Sequence, residues 1–217
     1  MRSSKPTLCY ITDRHALAPG SLAPLIRAAL HAGIDLVQIR EKDLATRELL
    51  HLVETALADA RAVSARALMS RVVVNDRLDV ALAAGADGVH LGGQSMPLSK
   101  VRTAAPFTPE TDFWVGVSCH SVEDVRAAEA AGADYVLLGP IFETASKLRY
   151  GPPLGLETLR EAALRSRIPL LALGGITPEL VRPCLEAGAT GIAGISTFQE
   201  CAAVAERVKE LLTAMGL

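Results

Sequence analysis

Short apolar runs alternate with longer amphipathic segments along the whole chain. Runs rich in Val, Ile and Leu occupy residues 8–12, 72–75, 114–118 and 170–173. Their length and β-branched content are typical of strands that are covered on both faces. The segments between the runs carry Ala, Leu, Glu and Arg with helical spacing, which predicts helices over 45–63, 122–131 and 179–187. In the last of these, Pro178 is expected at the first helical position, behind Thr177 as the cap.

A four-residue phrase that begins with Ala-Gly occurs four times, about fifty residues apart, and an apolar run follows each copy. The copies are Ala32-Gly33-Ile34-Asp35, Ala84-Gly85-Ala86-Asp87, Ala131-Gly132-Ala133-Asp134 and Ala187-Gly188-Ala189-Thr190. A left-handed Gly that ends a helix before a buried strand explains the phrase. Four such double units make eight strands. The sequence therefore predicts a (β/α)8 barrel, formed by residues 1–217 as a single domain, rather than a doubly wound open sheet.

The composition narrows the function classes. Half of the 217 residues are hydrophobic but only 4% are aromatic, which predicts an aliphatic core. The net charge of −2 offers no electrostatic attraction for nucleic acid or for an anionic membrane surface. We see no signal peptide and no apolar run long enough to span a membrane. The four Cys lack metal-ligand spacing and are expected to be small buried side chains in the reducing cytoplasm.

Polar residues close the second predicted strand. Gln38, Arg40 and Lys42 alternate along it, and at the strand period of two they would point to one face. Polar groups on a buried strand are costly unless they are paired, and two of these are cations. We therefore expect an anionic ligand. The alternative is a salt bridge to a local acid such as Asp76 or Glu41.

Asn75 and Asp76 close the third predicted strand. Adjacent amide and carboxylate oxygens at a strand end can hold a metal, or a diphosphate through a metal. The alternative is that Asp76 caps the helix that follows.

Ser118, Cys119 and His120 close the fifth predicted strand. Cys119 should face away from its neighbours, so we do not expect it to be a nucleophile. His120 at a barrel mouth suits proton transfer near neutral pH, and a capping role is the alternative.

Two later segments suit phosphate groups. The long loop after the sixth strand carries Thr144, Ser146 and Lys147, whose hydroxyls can donate hydrogen bonds to a diphosphate while the Lys adds positive charge. The alternative is a flexible surface loop without a ligand. Glycine-rich turns follow strands seven and eight at 174–175 and 194–196. Barrels of this type recurrently bind phosphate at these two turns, so a phosphate is predicted there.

Taken together, these segments resemble the thiamine phosphate synthase family from the first strand to the last. The resemblance rests on Gln38-Ile39-Arg40-Glu41-Lys42, Val74-Asn75-Asp76-Arg77, Gly88-Val89-His90-Leu91-Gly92, Val117-Ser118-Cys119-His120, Gly139-Pro140-Ile141-Phe142, Gly174-Gly175-Ile176 and Gly191-Ile192-Ala193-Gly194-Ile195-Ser196. It implies a barrel that joins a hydroxymethylpyrimidine diphosphate to a hydroxyethylthiazole phosphate and releases pyrophosphate. The resemblance further implies Mg²⁺ and a dissociative step, in which a pyrimidine carbocation would form before the thiazole nitrogen attacks.

The resemblance also implies roles for individual residues. Asp76 would be a Mg²⁺ ligand, and Gly175, Ile195 and Ser196 would hold the thiazole phosphate. The residues implied for the diphosphate and pyrimidine are Gln38, Arg40, Lys42, Asn75, Ser118, Thr144, Ser146 and Lys147. Both partners are small phosphorylated molecules; a homo-oligomer is compatible with the sequence, which does not fix the oligomeric state.

Two departures from the family pattern keep alternatives open. Counted from His90, Ser95 stands where the family has its second metal-binding Asp, unless Gly93 shifts the loop, and Ser146 replaces a Thr. The related thiazole tautomerases lack that Asp and use a His after strand five, where His120 stands, as acid and base. The synthases commonly have a His there too, so His120 does not decide between the two. A non-catalytic phosphate-binding relative is the other alternative. Gln38, Asn75 and Lys147 favour the synthase over the tautomerase. Arg40, Lys42, Asp76, Lys147 and the glycine turns together argue against a non-catalytic relative.

Overall fold

Eight parallel strands form a closed barrel in chain order, as the sequence predicts. The computed structural model describes residues 7–64, 70–104, 112–144 and 152–217. The barrel closes where Cys9 of the first strand pairs with Ala193 of the last. The strands are β1 (Thr7–Ile11), β2 (Leu36–Ile39), β3 (Arg71–Asn75), β4 (Gly88–Leu91), β5 (Trp114–Cys119), β6 (Tyr135–Leu138), β7 (Leu170–Leu173) and β8 (Gly191–Gly194).

Helices alternate with the strands and cover the outside of the barrel. Those of the described residues are α1 (Leu22–His31), α2 (Thr46–Ser64), α3 (Leu78–Ala84), α4 (Leu98–Ala104), α5 (Val122–Ala130), α6 (Gly155–Arg165), α7 (Pro178–Glu186), α8 (Ser196–Gln199) and α9 (Val204–Ala214). A 3₁₀ turn covers Arg14–Ala16. Helices α2, α5 and α7 match the three predicted ones, and Pro178 begins α7 behind Thr177. In the described segments, none of the helices combines the length and apolarity needed to cross a bilayer.

The repeated phrase forms the same connection four times at the amino-terminal end of the barrel. Each of its glycines has a positive φ, between 65° and 99°, so each ends a helix as predicted. Its fourth residue has a role that the sequence did not reveal, because its side chain accepts a hydrogen bond from the preceding strand. These bonds come from Leu8 to Asp35, Val72 to Asp87, Val115 to Asp134 and Leu170 to Thr190, at 2.6–2.8 Å.

The apolar core has two parts, separated by the barrel wall. The larger part lies between the strands and the helices. The smaller part fills the barrel, with Cys9, Ile11, Leu36, Val73, Tyr135, Leu137, Leu171 and Ala193. Strand alternation also turns four polar residues of β2, β3, β4 and β5 to the inside of the barrel. These are Gln38, Asn75, His90 and Ser118.

Candidate active site

A chain of polar side chains links the ends of β2 and β3. Gln38 is 2% exposed and donates from Nε2 to Asn75 Oδ1 at 2.9 Å. Asn75 donates in turn from Nδ2 to Asp76 Oδ2 at 2.8 Å. Among the described residues, nothing donates to the buried Oε1 of Gln38. This oxygen is therefore a ready acceptor for an N–H or O–H group of a ligand.

Asp76 occupies an unusual backbone conformation at the mouth of the barrel. Its φ of 61° lies in the left-handed region, which is uncommon for residues other than glycine and is often associated with functional sites. Its carboxylate accepts from Asn75 and from the hydroxyl of Ser95, and Ser95 Oγ accepts from the N–H of Gly92 at 2.5 Å. The interpretation of Asp76 as a helix cap is wrong, because Arg77 is the N-cap residue of α3.

The three residues predicted to share one face of β2 do not all lie on the strand. Because β2 ends at Ile39, the strand period cannot place Lys42, which is exposed in the following turn. Arg40 lies at the strand end with its side chain 30% exposed, and its Nη1 is 3.9 Å from Asp13 Oδ2. Glu41 is not its salt-bridge partner. Glu41 is buried and accepts from the Thr12 hydroxyl at 2.6 Å and from Arg14 Nη1 at 3.3 Å.

Ser118 points into the barrel and is held there by a histidine that the sequence analysis did not single out. His90 is fully buried, and its Nε2 lies 2.9 Å from Ser118 Oγ. Its Nδ1 lies 3.1 Å from the hydroxyl of Tyr135. Burial lowers the pKa of His90 to about 3, so the ring is neutral. A lone His on an otherwise apolar strand was the available sequence signal, since a buried polar group requires partners.

Cys119 and His120 lie in different environments, one buried and one exposed. Cys119 is fully buried in the outer core, where burial raises the pKa of its thiol to about 12, so it is no nucleophile. His120 is exposed just beyond β5, and its Nδ1 is 2.6 Å from the carbonyl oxygen of Gly139. A carbonyl only accepts, so Nδ1 carries the proton and the lone pair of the neutral ring is on Nε2.

A small cleft of about 60 Å³ separates the turns that follow β7 and β8. It is lined by Thr144, Leu173, Gly174, Gly175, Gly194, Ile195, Ser196 and Thr197. The Thr197 hydroxyl donates to the carbonyl of Ile176 at 2.8 Å and joins the two turns. In the described part of the chain, no group accepts from the N–H of Gly175 or from that of Ser196, the first residue of α8.

Glycine at position 175 has a packing explanation of its own. Its φ is 65°, and a Cβ there would lie 2.4 Å from the carbonyl oxygen of Glu143. The loop after β6 thus packs directly on this turn. The glycine is therefore not in itself a sign of a bound ligand. The argument for an anion rests on the two N–H groups that have no acceptor among the described residues.

Comparison with known proteins decides the family. The family model of thiamine monophosphate synthase matches residues 8–198. The chain belongs to the thiamine monophosphate synthase family. Similar relatives are the thiamine-phosphate synthases of Chlorobium luteolum, 39% identical over 97% of this chain and 93% of the relative, and of Methanoculleus marisnigri, 44% identical over 87% and 85%. The solved thiamine phosphate pyrophosphorylase of Pyrococcus furiosus is 33% identical, covering 97% of this chain and 95% of its own, with a TM-score of 0.84.

Resemblance to the thiamine monophosphate synthase family predicts Asp76 as a metal ligand, so the residues around Asp76 bear on metal binding. The Ser95 hydroxyl donates to Asp76, so the position that the count from His90 selects lies beside Asp76. Its correspondence to the family's second metal-binding Asp stays a prediction. Across the described ranges, no three His, Cys, Asp or Glu side chains come together as a metal site. Thr144 lines the cleft, whereas Ser146 and Lys147 lie outside the described residues.

Proposed function

We propose that the chain joins hydroxymethylpyrimidine diphosphate to hydroxyethylthiazole phosphate, giving thiamine phosphate and pyrophosphate. The printed names of the relatives and the family membership support this reaction. The observation that carries it is the pairing of two phosphate-suited regions at one end of the barrel. One lies at the ends of β2 and β3, where Arg40 and Lys42 supply positive charge beside the polar residues from Gln38 to Asp76. The other is the cleft at Gly175 and Ser196.

The diphosphate of the pyrimidine substrate would lie at the ends of β2, β3 and β5. Arg40 and Lys42 supply positive charge, and Ser118 supplies a hydroxyl donor. Gln38 and Asn75 would orient the pyrimidine and its diphosphate, since the buried Oε1 of Gln38 has no donor among the residues that the structure describes. Thr144, Ser146 and Lys147 are proposed to complete the grip from the loop after β6.

The thiazole phosphate would occupy the cleft between the last two turns. We expect inorganic phosphate to bind there, because no acceptor within the described residues pairs with the N–H groups of Gly175 and Ser196. In an NMR titration with phosphate, the amide signals of these two residues should shift most. The amide of Gly132, which donates to Glu129 at the opposite end of the barrel, is the control and should not move. Shifts confined to other amides of the mouth would contradict the proposal.

Mg²⁺ is the cofactor we propose. The donors beside β3 are hard oxygens, a carboxylate of Asp76 and the hydroxyl of Ser95, which suit Mg²⁺. They fit an ion that proteins hold through one or two carboxylates together with substrate phosphates. Asp76 would be the principal protein ligand. When bound, the ion would neutralise the charge that develops on the leaving pyrophosphate.

The main requirement of this reaction is stabilisation of the leaving pyrophosphate. The bond between the pyrimidine methylene carbon and the diphosphate oxygen breaks, and its electron pair leaves with pyrophosphate. The thiazole nitrogen then donates its lone pair to the carbocation. No proton has to be removed, so preorganised donors such as Arg40, Lys42, Ser118 and Lys147 matter more than a strong base.

Product analysis tests the proposed function. Incubation of the purified chain with both substrates and Mg²⁺ should give thiamine phosphate and pyrophosphate in equal amounts, and omission of either substrate should give none. The serine beside Asp76, in place of the acid that the resemblance predicts, is the feature that leaves a thiazole tautomerase as the second candidate, with His120 as its acid and base. Consumption of a thiazole carboxylate phosphate without formation of thiamine phosphate would establish that alternative. Binding of both substrates without turnover would make the chain a non-catalytic relative.

The cellular setting of the proposed reaction is the cytoplasm. All four cysteines are free thiols, and Cys9, Cys119 and Cys184 are buried as small side chains. Free thiols suit a reducing compartment.

A further inference from the structure

A buried hydrogen-bond chain crosses the inside of the barrel from β6 to β5. Tyr135 is 1% exposed and His90 is fully buried. The His90 ring joins the Tyr135 hydroxyl, 3.1 Å from Nδ1, to the Ser118 hydroxyl, 2.9 Å from Nε2. Gly116 leaves room for the phenol ring, since a Cβ there would lie 2.1 Å from Tyr135 Cζ. The ring of Tyr135 is thus confined, and its hydroxyl is aimed at His90.

The direction of these two hydrogen bonds follows from the Tyr135 hydroxyl, whose proton requires an acceptor. Within the described part of the molecule, His90 is the one hydrogen-bond partner of the Tyr135 hydroxyl. If Nδ1 of His90 donated, the phenolic proton would be buried without an acceptor, at a cost of about 1–3 kcal/mol. The phenol therefore donates to Nδ1. The neutral ring then carries its proton on Nε2 and donates it to Ser118 Oγ.

This direction determines what Ser118 can offer to a ligand. A serine hydroxyl has one proton, and His90 occupies one of its lone pairs. The Ser118 proton is thus not used in the bond to His90 and is free to point elsewhere. With the opposite histidine tautomer, Ser118 would donate to Nε2 and would turn lone pairs towards the ligand, which would repel an anion.

We propose that Tyr135 and His90 are positioning residues that commit the Ser118 hydroxyl to donate to an anionic ligand. For the diphosphate as that ligand, the inference rests on the proposed function. Tyr135 and His90 act through Ser118 alone and touch no substrate atom. It selects ligands that accept hydrogen bonds at this point, as phosphate oxygens do.

The tautomer of His90 can be read directly in the free protein. In the chain labelled with ¹⁵N-histidine, with His90 assigned through its own backbone, Nε2 should show the shift of a protonated nitrogen and Nδ1 that of an unprotonated one. The Tyr135→Phe variant should lose this preference. The Tyr10→Phe variant is the control and should keep it, because Tyr10 is also fully buried but its hydroxyl has no partner among the described residues. A proton on Nδ1 of His90 in the unaltered chain would overturn the proposal.

Binding of inorganic pyrophosphate, measured by calorimetry with Mg²⁺ present, tests the consequence for Ser118. Tyr135→Phe should weaken binding about tenfold, the loss expected when one hydrogen bond to an anion is misdirected. In a Ser118→Ala background the same change should have less than about a twofold effect, because Tyr135 and His90 then have no hydroxyl to orient. Equal weakening in both backgrounds would mean a purely structural role for Tyr135 and would overturn the proposal. Neither measurement depends on turnover, so failure of the proposed reaction is recognised separately.

Discussion

Replacement of Arg40 by alanine is expected to lower turnover by about 100- to 1,000-fold, the usual effect of removing one preorganised donor from a developing negative charge. The fold should tolerate the change. The guanidinium lies 3.9 Å from Asp13, and both side chains are about one-third exposed, so this ion pair contributes at most about 1 kcal/mol. The hydrogen bond from the Arg40 N–H to the Thr12 hydroxyl belongs to the backbone and survives in the variant.

Steady-state kinetics and thermal unfolding of Arg40→Ala, measured side by side, check this expectation. Arg27→Ala is the matched control. Arg27 forms a comparable surface ion pair with Asp59 on the helical layer, and its loss should leave turnover unchanged. The result that contradicts a role on the diphosphate is a destabilised Arg40→Ala whose remaining folded fraction turns over at the full rate. Arg40 would then be a structural residue.

The architecture could be predicted because its signal is local and repeated. The Ala-Gly phrase ends a helix and begins a strand, and four copies suffice to count eight strands without any knowledge of which strands pair. The role of Asp35 and its counterparts could not be predicted in the same way. Each bonds to the strand before it, as Asp35 does to Leu8, and that contact exists only once neighbouring strands are in register.

The candidate site could be predicted only where strand periodicity holds. Gln38 lies inside the barrel as the period of two predicts, whereas the extension of the same argument to Lys42 fails because β2 ends at Ile39. Where a strand ends is decided by pairing with β1 and β3, which the local sequence does not encode. Residue roles that came from the family resemblance stay predictions.

The link between His90 and Tyr135 was missed for a physical reason. The two residues are far apart in the chain and come from strands that do not pair with each other, since β5 lies between β4 and β6. Their contact crosses the barrel interior at the place where Gly116 leaves space. Only the closed barrel creates this proximity, so neither periodicity nor spacing could reveal it.

Mg²⁺ is expected to bind the ligand-free protein weakly, with a dissociation constant of about 1 mM or more, and to bind tightly only together with the diphosphate. Ser95 lies beside Asp76, at the position where the family resemblance predicts a second acid, so Asp76 supplies the one carboxylate of this pair. A single carboxylate holds a strongly hydrated divalent ion poorly. The oxygens of a diphosphate add several negative charges and complete the shell along with water.

Replacement of Ser95 by aspartate should restore metal binding in the absence of substrate, because it places a second carboxylate against Asp76. Calorimetry with Mg²⁺ alone should show affinity at least about tenfold higher for Ser95→Asp than for the unaltered chain. Ser95→Asn is the control, since it has nearly the same shape without the charge and should not gain affinity. Submillimolar binding by the unaltered, ligand-free protein would contradict the expectation and would point to a further acid near the site, such as Asp13. Because the Mg²⁺ affinity is measured without turnover, it reports the effect of negative charge beside Asp76 and does not depend on the other steps of the reaction.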